Sequence, residues 1–338
     1  MSRRRKNRPP KLTPAVVRAF FGRQKHLRIV TFNMENLFDL IDTGGLRSGP
    51  PTPYALEAKL SKLSLALEKE LDLPQIVAVQ EIKNEHVLQA VGDKVNERRG
   101  TSYRAVSFET SDARGIAVGL LFDEAKVRLI EAYQLSGEDV ELAFGKGSRK
   151  PGREPIVGLF EAHGELLTVV GNHFKSRGGD VPLPGSEWPP EGSTEAQRKD
   201  QARAVRSFAD RVLASDPAAL LFVLGDFNDS RFEEEMESAD HPLSILEHGG
   251  SIEAGSRRLY DVVERVEEEE RFTFDHWGSK QVLDHIFVSE AVVPLIDNVQ
   301  IPHFNAGFPR RFSGDLTTAI RSSDHDPVVL DIDFSSGA

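Results

Sequence analysis

The chain has 338 residues, of which 39% are hydrophobic and 28% charged, with a formal net charge of -11 and no cysteine. That balance describes a folded, soluble protein with enough chain for a sizeable core, and no apolar run approaches the about 18 residues a membrane helix needs. The missing cysteine excludes disulfides, thiolate metal sites and cysteine nucleophiles.

The charge is unevenly spread. Residues 1–28 hold ten Lys or Arg and no acid, leaving 32 basic against 53 acidic side chains on the rest. Such an acidic body binds polyanions poorly unless its charge is locally reversed or offset by cations. The opening "MSRRRKNRPPK" has the charge of a signal-peptide n-region, but no apolar h-region follows; "AVVRAFFG" is too short and is interrupted by Arg18. A disordered basic tail over residues 1–26, a single domain over residues 27–338 and a cytoplasmic location are expected, with no membrane and no obligate protein partner.

"LRIVTFNM" (Leu27 to Met34) predicts a strand ending in polar residues, and "TGGLRSGPPTP" a loop. Leu56, Leu60, Leu63, Leu67 and Leu71 recur at helical spacing over Tyr54 to Leu71. "IVAVQ" is a buried type of strand, and "EHVLQAVGDKV" a second helix. Three strands follow in "YRAVSF", "GIAVGLLF" and "VRLIEAYQL", then the basic loop "GKGSRKPGRE" and the strands "PIVGLFEA" and "LLTVVGNHF". A polar insertion covers Arg177 to Thr194, a helix Glu195 to Leu213, and a strand "ALLFVLGDF". The acidic stretches Arg231 to Asp240 and "ERVEEEER" should face solvent, and "RFTF", "LDHIFVS" and "PVVLDIDF" are the last strands. No linker and no internal repeat divides the pattern. Helices alternate with strands early and strands meet directly in the middle, which argues for a mixed-sheet α/β sandwich.

Polar residues recur where the apolar strands end: Asn33 and Glu35, Glu81, Asn172 with His173 and Lys175, Asp226 with Asn228, Asp284 with His285, and Asp324 with His325 before the last strand. Strand ends are where α/β folds present binding groups. Carboxylates and amide oxygens without cysteine suit a hard cation, Mg²⁺, Mn²⁺ or Ca²⁺. Histidines beside them suit proton transfer and stabilisation of phosphate charge. A metal, a base and cationic donors together suit attack of water on a phosphoester.

The stretches "TFNMENLFD", "VAVQEIKN", "GNHFKSRGGD", "LGDFND", "VLDHIFVS" and "SSDHDPVV" resemble the endonuclease/exonuclease/phosphatase superfamily, that of deoxyribonuclease I and the apurinic endonucleases, and are most similar to its bacterial secreted-type nucleases. The resemblance implies a four-layer α/β/β/α sandwich of two packed mixed β-sheets flanked by helices. It also implies a nuclease using Mg²⁺ or Mn²⁺, with Ca²⁺ as a supporting ion and nucleic acid as substrate. Carried over by position, Asn33 and Glu81 resemble metal ligands, and Asp324 a metal-site or water-activating acid. Asp226 resembles the residue that orients or deprotonates the attacking water, with Asn228 beside the phosphate. His325 resembles the histidine at the phosphate oxygens, oriented by Asp284, and His173 a second histidine proposed as general acid. Arg153 in "GREPIV" resembles an arginine that holds a DNA phosphate, and Lys175 is either a phosphate contact or plain surface charge. Members of this kind pair the second histidine with a glutamate one strand away. "SDARGIAVG" offers none, leaving Asp112 or Glu109 as substitutes.

Asp326 is expected to cap the turn into the last strand, and His285 to point to the opposite sheet face by strand alternation. His303 reads as structural, and Tyr103 and Trp277 as packing residues, with stacking on a base as the alternative. No exposed aromatic hairpin is evident. The competing readings are a phosphatase or phospholipase acting on inositol phosphates or sphingomyelin, and a catalytically inactive nucleic-acid-binding module.

Overall fold

The computed structural model describes residues 25–41, 51–136, 139, 141, 152–177, 194–230, 240–249 and 257–335. The basic tail assigned to residues 1–26 lies outside them but for its last two residues, as do most of the Arg177 to Thr194 insertion and all but Asp240 of the acidic stretch after Ser230. No helix among the described residues is long and apolar enough to cross a membrane.

Two six-stranded mixed sheets pack face to face. The first comprises β1 (His26–Leu37), β2 (Ile76–Ile82), β3 (Tyr103–Ser107), β4 (Ala117–Asp123), β13 (Ile296–Gln300) and β14 (Val328–Asp333), in the order β13-β14-β1-β2-β4-β3. The second comprises β5 (Arg128–Gln134), β6 (Ile156–Ala162), β7 (Glu165–His173), β8 (Leu220–Asp226), β9 (Leu259–Asp261) and β12 (Asp284–Ser289), in the order β5-β6-β7-β8-β12-β9. Helices α1 (Pro53–Leu65) and α2 (Glu85–Arg99) cover the first sheet, and α3 (Glu195–Ser215) and α4 (Pro242–His248) the second. This is the four-layer sandwich the sequence motifs implied.

Each sheet is built around one parallel pair, β1 with β2 and β7 with β8, and each pair is joined across a helix, α1 or α3. All other pairings are antiparallel. The topology thus repeats although the sequence does not. Burial explains the continuous apolar runs: these central strands are covered on both faces. Ile29 and Phe222 point between the sheets, while Val30 packs under the first helical layer and Val223 under the second.

Local signals set the helix ends. Thr52 caps α1 by accepting from the Ala55 amide at 3.1 Å, with Pro53 as the first helical residue. Asn84 caps α2 by accepting from Val87, and Gly100, at φ 66°, ends it. The helix expected over Tyr54 to Leu71 passes into a π turn at Ala66–Glu70. "RFTF" is not a strand until its last residue, where β10 (Phe274–His276) pairs with β11 (Ser279–Gln281) as a separate two-stranded hairpin. That hairpin corrects two expectations. Trp277 at its tip is 96% exposed and packs nothing, and an exposed aromatic hairpin is present. Tyr103 does pack: it is buried, and its hydroxyl donates to the Pro74 carbonyl at 2.6 Å.

Candidate active site

The site lies at one end of the sandwich, where the central strands of both sheets finish. Register brings its second-sheet residues into one row. His173 pairs with Asp226 across β7 and β8, and Asp226 pairs with Asp284 across β8 and β12. The close approach of β7 to β8 rests on Gly225: a Cβ there would run into the Asn172 carbonyl oxygen and lie 2.7 Å from its carbon. The first sheet supplies Asn33 from β1, Glu81 from β2 and the turn before β14 that carries Asp324 and His325.

Two contacts bridge the sheets. Asn33 Nδ2 donates to Asp226 Oδ2 at 2.9 Å, and its own Oδ1 accepts from the Glu35 amide, so the amide cannot turn over. His325 Nδ1 lies 2.7 Å from Asp284 Oδ2. Burial opposes a charge on His325, but Asp284 and Asp226 outweigh it and hold the imidazole well above its ordinary range. The result is an imidazolium clamped by a carboxylate. Burial, opposed by His325 and reinforced by Asp284, raises the Asp226 carboxyl to about 7. Burial, and then Asp324, push the Glu81 carboxyl up as well.

Backbone strain collects here. Glu35, Asn36, Glu81, Arg153, Asn228 and Arg321 all have positive φ without being glycine, and strain of that kind concentrates at functional sites. Glu81 takes φ 60° where the β1–β2 register shifts, which turns its side chain out of the strand, and its Oε2 accepts from the Asn36 amide at 3.0 Å. Asn228 at φ 51° breaks the alternation that would have aligned it with Asp226. It instead donates its backbone N–H to Asp226 Oδ1 and its side-chain amide to the Phe174 carbonyl.

Arg153 is buried at φ 95° and reaches inward rather than outward. Its Nε donates to Asp112 Oδ2 at 3.2 Å, and its Nη1 to the Phe174 carbonyl at 2.8 Å, lying 2.7 Å from His173 Nε2. Neither Asp112 nor Glu109 pairs with His173, since Asp112 is taken by the arginine. With Arg153 donating, Nε2 is an acceptor and the proton sits on Nδ1, which has no partner among the described residues. Burial, and then Arg153, lower the His173 pKa well below its ordinary value. A neutral imidazole whose Nε2 faces a guanidinium has no proton there to give, so the geometry does not support the general-acid expectation for His173. A proton NMR titration should place the His173 step well below the ordinary histidine range. Arg153→Met should move its pKa upward while burial still holds it under the usual histidine value. A normal histidine titration in the wild type would refute the lowered pKa.

The Lys175 backbone is fixed by the Gln201 side chain at 2.8 Å, and its charge bears on His173. His285 is on the far face of β12, as expected, against Asp261 Oδ2 at 2.8 Å. His303 is structural, stacked on Phe272 at 3.9 Å. Asp326 does not cap its own turn. Its Oδ1 accepts from the amides of Phe304, Asn305 and Ala306, and its Oδ2 meets His303 Nδ1 at 2.9 Å. Asn305 in turn donates to the His325 carbonyl, and Ser323 Oγ donates to the Asn33 carbonyl at 2.6 Å. Sequence reasoning missed these supports. The serine pair before Asp324 was a signal for one of them, and nothing local marks Asn305.

The donor set fits a hard divalent cation. Ligand atoms of Asp226, Asp284 and His325 lie within 4.8 Å of one another, and Asp284 Oδ1 is buried without a hydrogen-bond partner among the described residues. However, Nδ1 of His325 and Oδ2 of Asp284 are already committed to each other. Asp324 also bears on the Glu81 carboxyl, which burial raises first, and a cation beside these two carboxylates would relieve their repulsion.

A two-sheet sandwich with carboxylates and a histidine–aspartate pair gathered at its strand ends defines a class, and the sequence places the chain within it. The chain belongs to the Endonuclease/Exonuclease/phosphatase family, whose model matches residues 28–301. Similar solved structures include an endonuclease/exonuclease/phosphatase from Bacteroides vulgatus, with 15% identity, 91% of this chain and 98% of that one covered, and a TM-score of 0.56. TDP2 of D. rerio complexed with single strand DNA product has 18% identity, 90% and 98% coverage and a TM-score of 0.55. The human Nocturnin catalytic domain with bound sulfate anion has 17% identity, 91% and 94% coverage and a TM-score of 0.55. At these identities the likeness is one of fold. No curated protein matches the chain significantly.

Proposed function

We propose that the protein is a divalent-cation-dependent phosphodiesterase that cuts nucleic acid by attack of water on the phosphate. The observation that carries the reading is Asp226. It is a buried carboxylate with a pKa near 7, fixed by two hydrogen bonds and set in one row with His173 and the Asp284–His325 pair. A base so tuned can take or orient a water proton at neutral pH. The His325 imidazolium, held by Asp284, faces the charge that develops on the phosphate oxygens. Arg153 adds a second donor through Nη2, the guanidinium nitrogen not used on Asp112, His173 or Phe174, and Asn228 flanks the phosphate. Glu81, Asp324 and Asn33 would hold Mg²⁺ or Mn²⁺, which would supply polarisation of a phosphoryl oxygen and a lowered pKa for water. Nucleic acid is taken as the substrate because the sequence motifs most resemble those of nucleases.

The test is hydrolysis of plasmid, single-stranded DNA, RNA and bis-p-nitrophenyl phosphate in a metal series. All hydrolysis should vanish in EDTA, and cutting that persists there would sink the metal requirement. Thermal melting gives a second readout. Below the unfolded pKa of 3.8, Asp226 binds a proton in both states. Between 3.8 and about 7 only the folded state does, so cation-free stability falls as pH rises through that window. A cation displaces that proton. Saturating Mg²⁺ should therefore raise the melting temperature more at pH 8 than at pH 5, and an equal shift at both would place the cation away from Asp226.

A further inference from the structure

The β10–β11 hairpin closes through a two-residue turn, Trp277-Gly278, with φ of 55° and 90°. A turn of this kind favours Asn, Asp or Gly at its first position, where left-handed backbone is tolerated. Tryptophan is a poor choice for the turn itself. The bonding of the turn comes from Asp275, whose Oδ1 accepts from the Gly278 amide at 2.6 Å. The indole contributes nothing to it and stands in solvent. A large aromatic ring held on strained backbone without a packing partner points to a ligand.

The root of the hairpin is the site itself. Phe274 forms a β-bridge with His325, and its ring lies 4.8 Å from that imidazole. Trp277 lies three positions on from Phe274, about 10 Å at the usual rise. The flank of the hairpin meets the loop after β13, where a Cβ on Gly307 would lie 3.3 Å from Asp275 Oδ2. That loop continues as Phe308-Pro309-Arg310-Arg311, with both arginines exposed. In a chain of net charge -11, they put two exposed cations on the segment that meets the hairpin.

We propose that the Trp277 tip, with Arg310 and Arg311, is a second binding site that stacks an unpaired nucleobase of single-stranded nucleic acid and holds its adjoining phosphates. The inference rests on the diesterase reading above and names the form of its substrate. A flat exposed indole suits a base of any identity, and two guanidinium groups suit the phosphates on either side. A bilayer-seeking tip needs several apolar side chains, whereas Trp277 is flanked by Asp275, His276, Ser279 and Lys280.

The experiment compares binding of two labelled probes in EDTA, where cutting is suppressed: oligothymidylate and the same sugar-phosphate chain with abasic sites. Wild type should prefer the probe with bases by about tenfold. Trp277→Ala should bind both probes equally, and Trp277→Phe should restore most of the preference. Melting temperatures check that each variant is folded. Arg310→Gln with Arg311→Gln should flatten the salt dependence by about 1.4 log units per decade while keeping the preference for bases. Equal preference in wild type and Trp277→Ala overturns the proposal. If the wild type still cuts in Mg²⁺, that result leaves the hydrolase reading standing. Trp277-dependent sedimentation with phosphatidylcholine vesicles, without a preference for bases, assigns the tip to lipid and equally overturns it.

Discussion

Asp226→Asn is expected to slow single-turnover cleavage at least ~100-fold while binding substrate in Mg²⁺ no more weakly than wild type. The carboxylate is the group in the row suited to receive a proton near neutral pH, and an amide cannot take one. Binding survives because the substitution removes a negative charge from beside the phosphate. The hydrogen bonds add a second effect. Both oxygens of Asp226 accept, one from Asn33 Nδ2 and one from the Asn228 amide, and Asn33 is locked by Glu35. An asparagine offers one acceptor, so one buried donor is left facing another, at a cost of about 1–3 kcal/mol. Removing a charge that burial disfavours offsets part of that. A gel shift beside a cleavage time course, with a melting curve, separates these terms. Near-wild-type cleavage by a folded variant would take Asp226 out of the mechanism.

Gly225→Ala should lower the melting temperature by roughly 10 °C and abolish activity. Its Cβ would lie 2.9 Å from the Asn172 nitrogen and 2.7 Å from its carbonyl carbon, and it would strike the carbonyl oxygen. These are backbone atoms of the paired strand, so no side chain can swing aside. Overpacking and the unfavourable φ of 154° together amount to about 3–5 kcal/mol. Relief requires β7 and β8 to part at the register that aligns His173 with Asp226. Gly164→Ala is the control: its φ is 90° but nothing lies within 4 Å, so it carries strain without collision. If both variants melt together, contact between the strands is not what Gly225 provides.

The strands that matter most were legible because they are buried on both faces, which leaves unbroken apolar runs such as "LLFVLG" whose polar ends stand out. The residues gathered at those ends in the structure are those the sequence motifs marked. The pairing between them was not legible, because strand register is set by the partner strand and not by the strand itself. Asn228 shows the limit of extrapolating alternation, since the strand stops at Asp226 and the chain turns left-handed two residues later. Asp326 shows another. Its partners are 20 to 22 positions upstream, where no local pattern announces three amides aimed at one carboxylate. The short elements α4, β9, β11 and β13 escaped notice because three to seven residues are too few to display a period. Arg153 was marked by its motif, but its partnership with Asp112 and His173 depends on a loop conformation that no spacing encodes.

The pairing of β1 with β14 has a consequence for how the molecule forms. Arg28 and Asp331, 303 positions apart, are bonded across that seam at 2.7 Å, and β14 sits between β1 and β13 in the first sheet. The first sheet therefore closes only when the last described strand arrives, an association of very high sequence separation and correspondingly slow. His325 and Asp324 arrive with it, as the turn that leads into β14. A partly folded chain can hold Asp226 and Asp284 in place on the second sheet, but it lacks the imidazolium that offsets their charge. The first sheet and the candidate site are thus completed by the same strand.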